Sequence, residues 1–212
     1  MIFSGPNSGA AWGLSQVLDA YAGIAELVKP LHEKHADGSD LPITILHGTA
    51  ANTGLPKHSV DLVCVDPPYY NNVQYAELSD YFYVWQRRTL SDIYPDIFRR
   101  RLTNKSDEAV ANPARDGSNA KAAKEYERLM GEIFAECRRV LKDNGMLTIM
   151  FTHKTQEAWE ALTRSLIENG WTITASLPVD SEAASSTHQM NMASAASSIF
   201  LTCRKRPEAN TV

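Results

Sequence analysis

The 212-residue chain is 43% hydrophobic and 22% charged, ordinary for a soluble globular protein and enough for one sizeable α/β domain, alone or with an appendage. A chain of this size buries roughly two-thirds of its unfolded surface and needs no metal or disulfide staples; its three cysteines, Cys64, Cys137 and Cys203, form no CxxC pair, which excludes a zinc ribbon or finger within the chain. The 25 acids outnumber the 21 bases, which excludes a protein that grips nucleic acid with its whole surface.

In chain order, Met1 to Pro6 lacks a basic region followed by an apolar stretch, so no signal peptide is expected. From about Ala10 to Val28 the apolar positions Ala11, Leu14, Val17, Leu18, Tyr21, Ile24 and Leu27 recur every three or four residues, predicting a helix that Pro30 ends. The run Ile43-Thr44-Ile45-Leu46 predicts a strand. Leu62-Val63-Cys64-Val65 predicts a second, apolar on successive residues and so buried on both faces of a parallel sheet. It stops at Asp66-Pro67-Pro68-Tyr69-Tyr70, because two prolines cannot continue a ladder.

Ser79 or Asp80 is expected to cap a short aromatic helix through Arg88, with Phe82 and Trp85 in the core. Residues from about Leu90 to Ala120 read as a long loop, of the kind that is functional or mobile. Around its start, Arg87, Arg88, Arg99, Arg100, Arg101 and Lys105 form a local basic stripe, opposed only by Asp92 and Asp96. By itself that stripe reads as a solvated face. Lys121 to Leu141 predicts the clearest helix, its stripe including Tyr126, Met130, Phe134 and Cys137, stopped by Asn144-Gly145.

Met146 to Phe151 predicts a third strand, and Thr155 caps a helix that buries Trp159, Leu162, Leu166 and Ile167 and closes at Gly170. Trp171 to Leu177 and Ser198 to Cys203 predict two last strands around an Ala/Ser-rich loop, 180–197. The order of elements predicts a doubly wound sheet, finished by a hairpin-like pair with one strand inserted antiparallel. The domain reading is 1–40 for an N-terminal loop and helix, 41–206 for the main domain and 207–212 for a polar tail. No apolar run approaches the roughly 18 residues of a membrane span, so the expected compartment is the cytoplasm, with no membrane contact and no metal site.

In such folds ligands sit beyond the C-terminal ends of the parallel strands, where Asp66-Pro67-Pro68-Tyr69 is placed. The chemistry suits an exocyclic amine. Its lone pair is delocalised into the ring and is a poor nucleophile. The Asp66 carboxylate and the Pro67 carbonyl can each accept one N–H and draw the nitrogen toward tetrahedral geometry. Tyr69 offers a face for a base to stack on, an interaction worth ~1–3 kcal/mol per base.

Asp66-Pro67-Pro68-Tyr69 resembles motif IV of the amino-methyltransferases that use S-adenosylmethionine. The stretch from Ser59 through Asp66, Asn71, Asn72, Gln74 and Asp80 to Trp85 is similar to the matching part of large adenine-specific DNA methylases that carry a zinc ribbon. Phe151-Thr152-His153-Lys154-Thr155 and the run from Pro178 through Asn191 to Ser198 share the likeness. The resemblance implies a Rossmann-like S-adenosylmethionine-dependent methyltransferase fold and N6 methylation of a flipped adenine in DNA. It implies catalytic roles for Asp66, Pro67, Pro68 and Tyr69, and cofactor contacts at Thr49, Ala50 and Asp66. Substrate contacts are implied at Tyr70, Asn71, Asn72, His153 and Lys154, with phosphate contacts at Arg99, Arg100 and Arg101.

The family's glycine loop, Pro-Phe-x-Gly-x-Gly after a strand, has no counterpart. Gly5-Pro6-Asn7-Ser8-Gly9 precedes a helix, but only Ile2 and Phe3 could form a strand before it. The expectation is therefore an incomplete fold, the C-terminal portion of a longer methylase, whose partner is an upstream chain or domain bearing that loop. Cytosine N4, an RNA base, or a non-catalytic interaction subunit are the alternatives.

Overall fold

The computed structural model describes residues 9–34, 44–46, 48–179 and 198–207. Two units divide the chain, Met1–His47 and Gly48–Val212. In the first, helix α1 (Ala10–Lys34) runs through Pro30 rather than ending there. A proline's fixed φ is helical, so the interruption costs the helix one bond, from residue 30 to the Glu26 carbonyl. Thr44–Leu46 is not a strand, correcting that expectation; Ile43 lies outside the described residues, as do Gly5 to Ser8, Asn191 and the rest of 180–197.

The second unit is a mixed α/β layer. Its strands are β1 (Val60–Val65), β2 (Leu141–Phe151), β3 (Trp171–Val179) and β4 (Ser198–Lys205), in spatial order β1-β2-β4-β3. β1 and β2 are parallel; β4 is inserted antiparallel between β2 and β3, as the sequence predicts. Its helices are α2 (Tyr75–Leu90), α3 (Pro113–Asp116), α4 (Asn119–Val140) and α5 (Gln156–Glu168).

The core lies between the sheet and α4 and α5, where Leu147, Ile149 and Phe151 of β2 meet Tyr126, Met130, Phe134, Leu162 and Leu166. Trp171 closes it at the start of β3, its indole N–H donating to the Phe134 carbonyl at 3.1 Å. Ile167, expected on the buried side of α5, is 49% exposed; Ala158, Ala161 and Ser165 take that side instead. Val63 and Val65 pack on the core, but Leu62 and Cys64 are exposed. Burial of β1 on both faces is thus corrected: among the described residues only its inner face is covered, and β1 is an edge strand.

Asn144-Gly145 does not stop α4. The helix ends at Val140 and passes straight into β2, and the β1–β2 register jumps from Val60–Leu141 to Leu62–Met146. Glycine is needed in that jump, because a Cβ at 145 would lie 2.6 Å from Leu141 Cγ and 3.0 Å from the Asp61 carbonyl oxygen.

Neither Ser79 nor Asp80 caps α2, which starts at Tyr75. The free N–H of Ala76 is taken by Glu108 Oε1 at 2.8 Å, a carboxylate placed at the helix's positive end by a distant segment. Asp80 instead accepts from Lys105 Nζ (2.6 Å) and from the Thr103 N–H and hydroxyl, which push its carboxyl down to about 2, the lysine foremost. Phe82 and Trp85 are 63% and 58% exposed, not core. The side of α2 that meets the following segment carries Ala76, Asp80, Tyr83 and Arg87.

That segment also folds one short helix within the expected loop. Asn112 caps α3 by accepting from the Ala114 and Arg115 N–H groups, Pro113 fills its first position, and Gly117 at φ +85° closes it.

Candidate active site

β1 delivers Asp66 to its C-terminal end, and the two prolines take the chain out of the sheet. The Tyr70 N–H then turns back to the Pro68 carbonyl (3.0 Å), and the Asn72 N–H to the Tyr69 carbonyl (3.1 Å). Tyr70 sits at φ +55°, a left-handed conformation that costs a non-glycine residue roughly 1–3 kcal/mol.

Four neighbours hold it there. Its hydroxyl donates to Glu157 Oε1 in the first turn of α5 at 2.8 Å, and its carbonyl accepts from the Ala111 N–H at 3.0 Å. Its ring meets Tyr126 (5.1 Å between centroids) and His153 (5.9 Å), both near perpendicular. The Tyr126 hydroxyl of α4 donates to the Pro68 carbonyl at 3.1 Å.

Pro68 therefore has its carbonyl engaged twice, while nothing among the described residues donates to the carbonyl of Pro67. The Asp66 side chain is exposed. Burial, then a hydrogen bond to Asp66 and its charge, push the Tyr69 phenol well above its ordinary value. Tyr69 is half-buried, its ring edge on Phe151 at 5.3 Å, and Phe151 in turn stands against Trp159 at 4.9 Å. The tetrapeptide thus presents an exposed carboxylate, hydrogen-bonded to Tyr69, and a carbonyl with no described donor, on a floor that cannot shift without breaking core contacts.

Asn71 and His153 are brought together at the same end of the sheet. His153 Nδ1 accepts from the Thr155 N–H at 3.1 Å, so its proton sits on Nε2, which donates to Asn71 Oδ1 at 3.3 Å. Thr155 occupies the N-cap position before α5 but makes no side-chain cap, against the expectation; its hydroxyl lies 3.0 Å from His153. Burial foremost lowers the His153 pKa below the usual 6.5. The unfolded chain therefore takes up that proton first as the pH falls, and the stability tied to the neutral ring is complete above about 6.5 and lost below it.

The other expected contacts divide. Tyr70 is 5% exposed and its hydroxyl is held by Glu157, so it frames the loop rather than opening to a ligand. Asn72 and Lys154 are exposed beside it. Arg99, Arg100 and Arg101 follow α2 and share no hydrogen bond or ion pair with the tetrapeptide among the described residues; Arg99 is paired with Asp96. Tyr126 and Phe151 hold the loop but are legible in the sequence only as helix-stripe and strand residues, and nothing in the sequence marks Glu157.

A pocket of about 130 Å³ opens beside Tyr70 and Asn71, also lined by Ala111, Asn119, Ala122 and Glu157. Two larger hollows, about 440 Å³ each, lie on the outer face of α5 and along the α4–α5 groove, and neither reaches Asp66. Among the described residues no three His, Cys, Asp or Glu side chains converge as a metal site would require.

Thr49 and Ala50, expected at the cofactor, are exposed, and the Thr49 hydroxyl accepts from the Ala51 N–H at 3.2 Å. The chain beyond them is anchored away from the motif, with the Thr53 N–H and hydroxyl on Glu136 and the Ser59 N–H on the Val140 carbonyl, along the last turns of α4. No hydrogen bond or ion pair among the described residues links Thr49 or Ala50 with Asp66. The residues present fit an acceptor pair for an amine. They do not by themselves fit a cradle for S-adenosylmethionine.

No curated protein matches the chain. Among solved structures, one similar chain is that of a protein from Thermus thermophilus described as a candidate DNA modification methylase, at 15% identity and a TM-score of 0.38. The match covers 76% of the present chain and 52% of that one, so this chain spans about half the length of that protein. The N6_N4_Mtase family model, described as DNA methylase, matches residues 60–207, from the first residue of β1 to just beyond β4. With well over half of its length matched, the motif strand, the tetrapeptide and the antiparallel finish included, the chain belongs to that DNA methylase family.

Proposed function

We propose that the chain is the amine-binding module of a DNA adenine-N6 methyltransferase, acting on an adenine turned out of the duplex. The observation that carries this reading is the pair of acceptors at the end of β1, the exposed Asp66 carboxylate and the Pro67 carbonyl, which has no described donor. Each accepts one N–H of the exocyclic amine. The nitrogen lone pair is then drawn out of conjugation and faces away from both acceptors. S-Adenosylmethionine, which the family normally uses, supplies an electrophilic methyl group. Asp66 would also stabilise positive charge on the amine nitrogen it holds. Tyr69 lies beside Asp66 as the stacking surface for the base.

Analysis of nucleosides from methylated DNA tests the target. N6-methyladenine supports the reading; N4-methylcytosine alone would move the activity to cytosine, and methylated RNA to an RNA base.

We further propose that the glycine-rich cofactor loop comes from a separate segment or chain that pairs with β1. Supporting this are the unpaired outer edge of β1 in the described sheet and the exposure of Leu62 and Cys64. Calorimetric titration of this chain alone with S-adenosylmethionine is expected to show no micromolar binding. A micromolar dissociation constant would refute the need for a second portion.

A further inference from the structure

The segment after α2 reads in sequence as a loop, yet Val110 and Ala111 are each 1% exposed. The peptide unit between them is bonded on both sides. Its carbonyl, on Val110, accepts from Arg115 Nη2 at 2.7 Å. Its N–H, on Ala111, donates to the Tyr70 carbonyl at 3.0 Å. The same guanidinium donates through Nη1 to the Lys105 carbonyl (2.7 Å) and through Nε to Asp116 Oδ1 (3.1 Å). Arg115 therefore draws residues 105, 110 and 116 around one planar fork, an arrangement beyond the reach of a lysine ammonium.

Tyr70 is where that peptide unit acts. The hydroxyl and ring of Tyr70 reach their neighbours through rotatable side-chain bonds, whereas Ala111 grips the backbone carbonyl itself. Turning the 70–71 peptide out of the left-handed geometry would swing that carbonyl away from Ala111. The Tyr70 N–H in turn holds the Pro68 carbonyl, one residue along from the Pro67 acceptor. A cation on a carbonyl also polarises the N–H of the same peptide unit and strengthens the bond it makes. Glu108 adds a second hold. Its Oε1 takes the Ala76 N–H, and its Oε2, buried and without a described donor, lies 3.8 Å from Arg115 Nη1. Glu108 and Ala111 thus pin the chain at Ala76 and Tyr70, the two ends of the stretch that leads from the tetrapeptide into α2.

We propose that Arg115 is a positioning residue for the acceptor pair. Through the Val110–Ala111 peptide unit it holds the Tyr70 backbone, and with it the Pro67 carbonyl, in place for the amine. Arg115 shares no hydrogen bond or ion pair with the tetrapeptide among the described residues and acts through Ala111. The purpose rests on the methylase reading of the tetrapeptide; the hold itself rests on the bonds of Arg115.

Amide hydrogen exchange of the full chain, read residue by residue by NMR, tests the hold. Arg115→Ala is expected to speed exchange at Ala111 about tenfold through local opening, while the amides of β2 and α4 stay within about twofold of wild type. Methyl transfer to DNA by the assembled enzyme tests the purpose. Arg115→Ala should lower kcat about 10–10²-fold, because a misplaced acceptor serves the transition state poorly, and leave KM for DNA within about twofold. Arg115→Lys keeps the charge but not the fork, and should fall between Arg115→Ala and wild type in both measurements.

Unchanged exchange at Ala111 in both variants would overturn the hold. So would exchange that rises equally across β2 and α4, which would mark Arg115 as a general support of the fold. Loosened exchange at Ala111 with kcat at the wild-type level, or a loss confined to KM, would overturn the positioning role. The two readings fail separately. A wild-type enzyme that methylates no base removes the methylase reading and the purpose with it, and the hold then stands or falls on exchange alone. Methylation by the wild type with kcat untouched in both variants keeps the methylase reading and removes the proposal.

Discussion

Asp66→Ala is expected to lower methyl transfer by about 10²–10³-fold or more, while DNA binding stays within about twofold of wild type. In the proposed function the carboxylate is one of two acceptors for the amine and the one that carries charge. Without it, the nitrogen keeps its lone pair in the ring and nothing opposes the positive charge that develops on it. The fold should not suffer, since Asp66 is exposed and its described partner is the Tyr69 hydroxyl. Asp66→Asn retains an acceptor oxygen without the charge and should fall between the two. The measurement is tritium transfer to DNA by the assembled enzyme, with anisotropy on the same samples. Methylation by Asp66→Ala at the wild-type rate would remove Asp66 from the chemistry.

Phe151→Ala is expected to cost about 3–5 kcal/mol of unfolding free energy, read from urea denaturation. The ring is fully buried at the end of β2 and touches both Tyr69 and Trp159 edge to face. Deleting it opens a cavity directly under the tetrapeptide and removes two aromatic contacts worth roughly 0.5–1.5 kcal/mol each. Phe151→Leu, which keeps most of the volume, should cost under about 1.5 kcal/mol. A loss below about 1 kcal/mol for Phe151→Ala, against the cost expected of a buried ring, would mean that the loop does not stand on it.

The strands beside the motif were readable because their signals are local. A short apolar run followed by Asp-Pro-Pro specifies both the strand and its stop, and the paired terminal strands follow from two β-rich runs without a helix between them. What escaped depends on partners far along the chain. The start of α2 needs Glu108, 32 positions away from Ala76, so Ser79 and Asp80 looked like better caps than they are. α3 is one turn long, too short to show a period. Phe82 and Trp85 have core-like spacing, yet no described residue covers them. The supports of the tetrapeptide come from Tyr126, 58 positions from Pro68, and Glu157, 87 positions from Tyr70. Neither residue type nor spacing marks them.

Because Tyr70 is not a glycine, its left-handed backbone depends on the contacts around it, and the bond of its hydroxyl to Glu157 is one of them. Fraying of the opening turn of α5 would release that latch and let the backbone relax toward an extended path, carrying the Pro67 oxygen with it. The alignment of the Pro67 carbonyl at the end of one strand is thereby tied to the integrity of a helix end far along the chain.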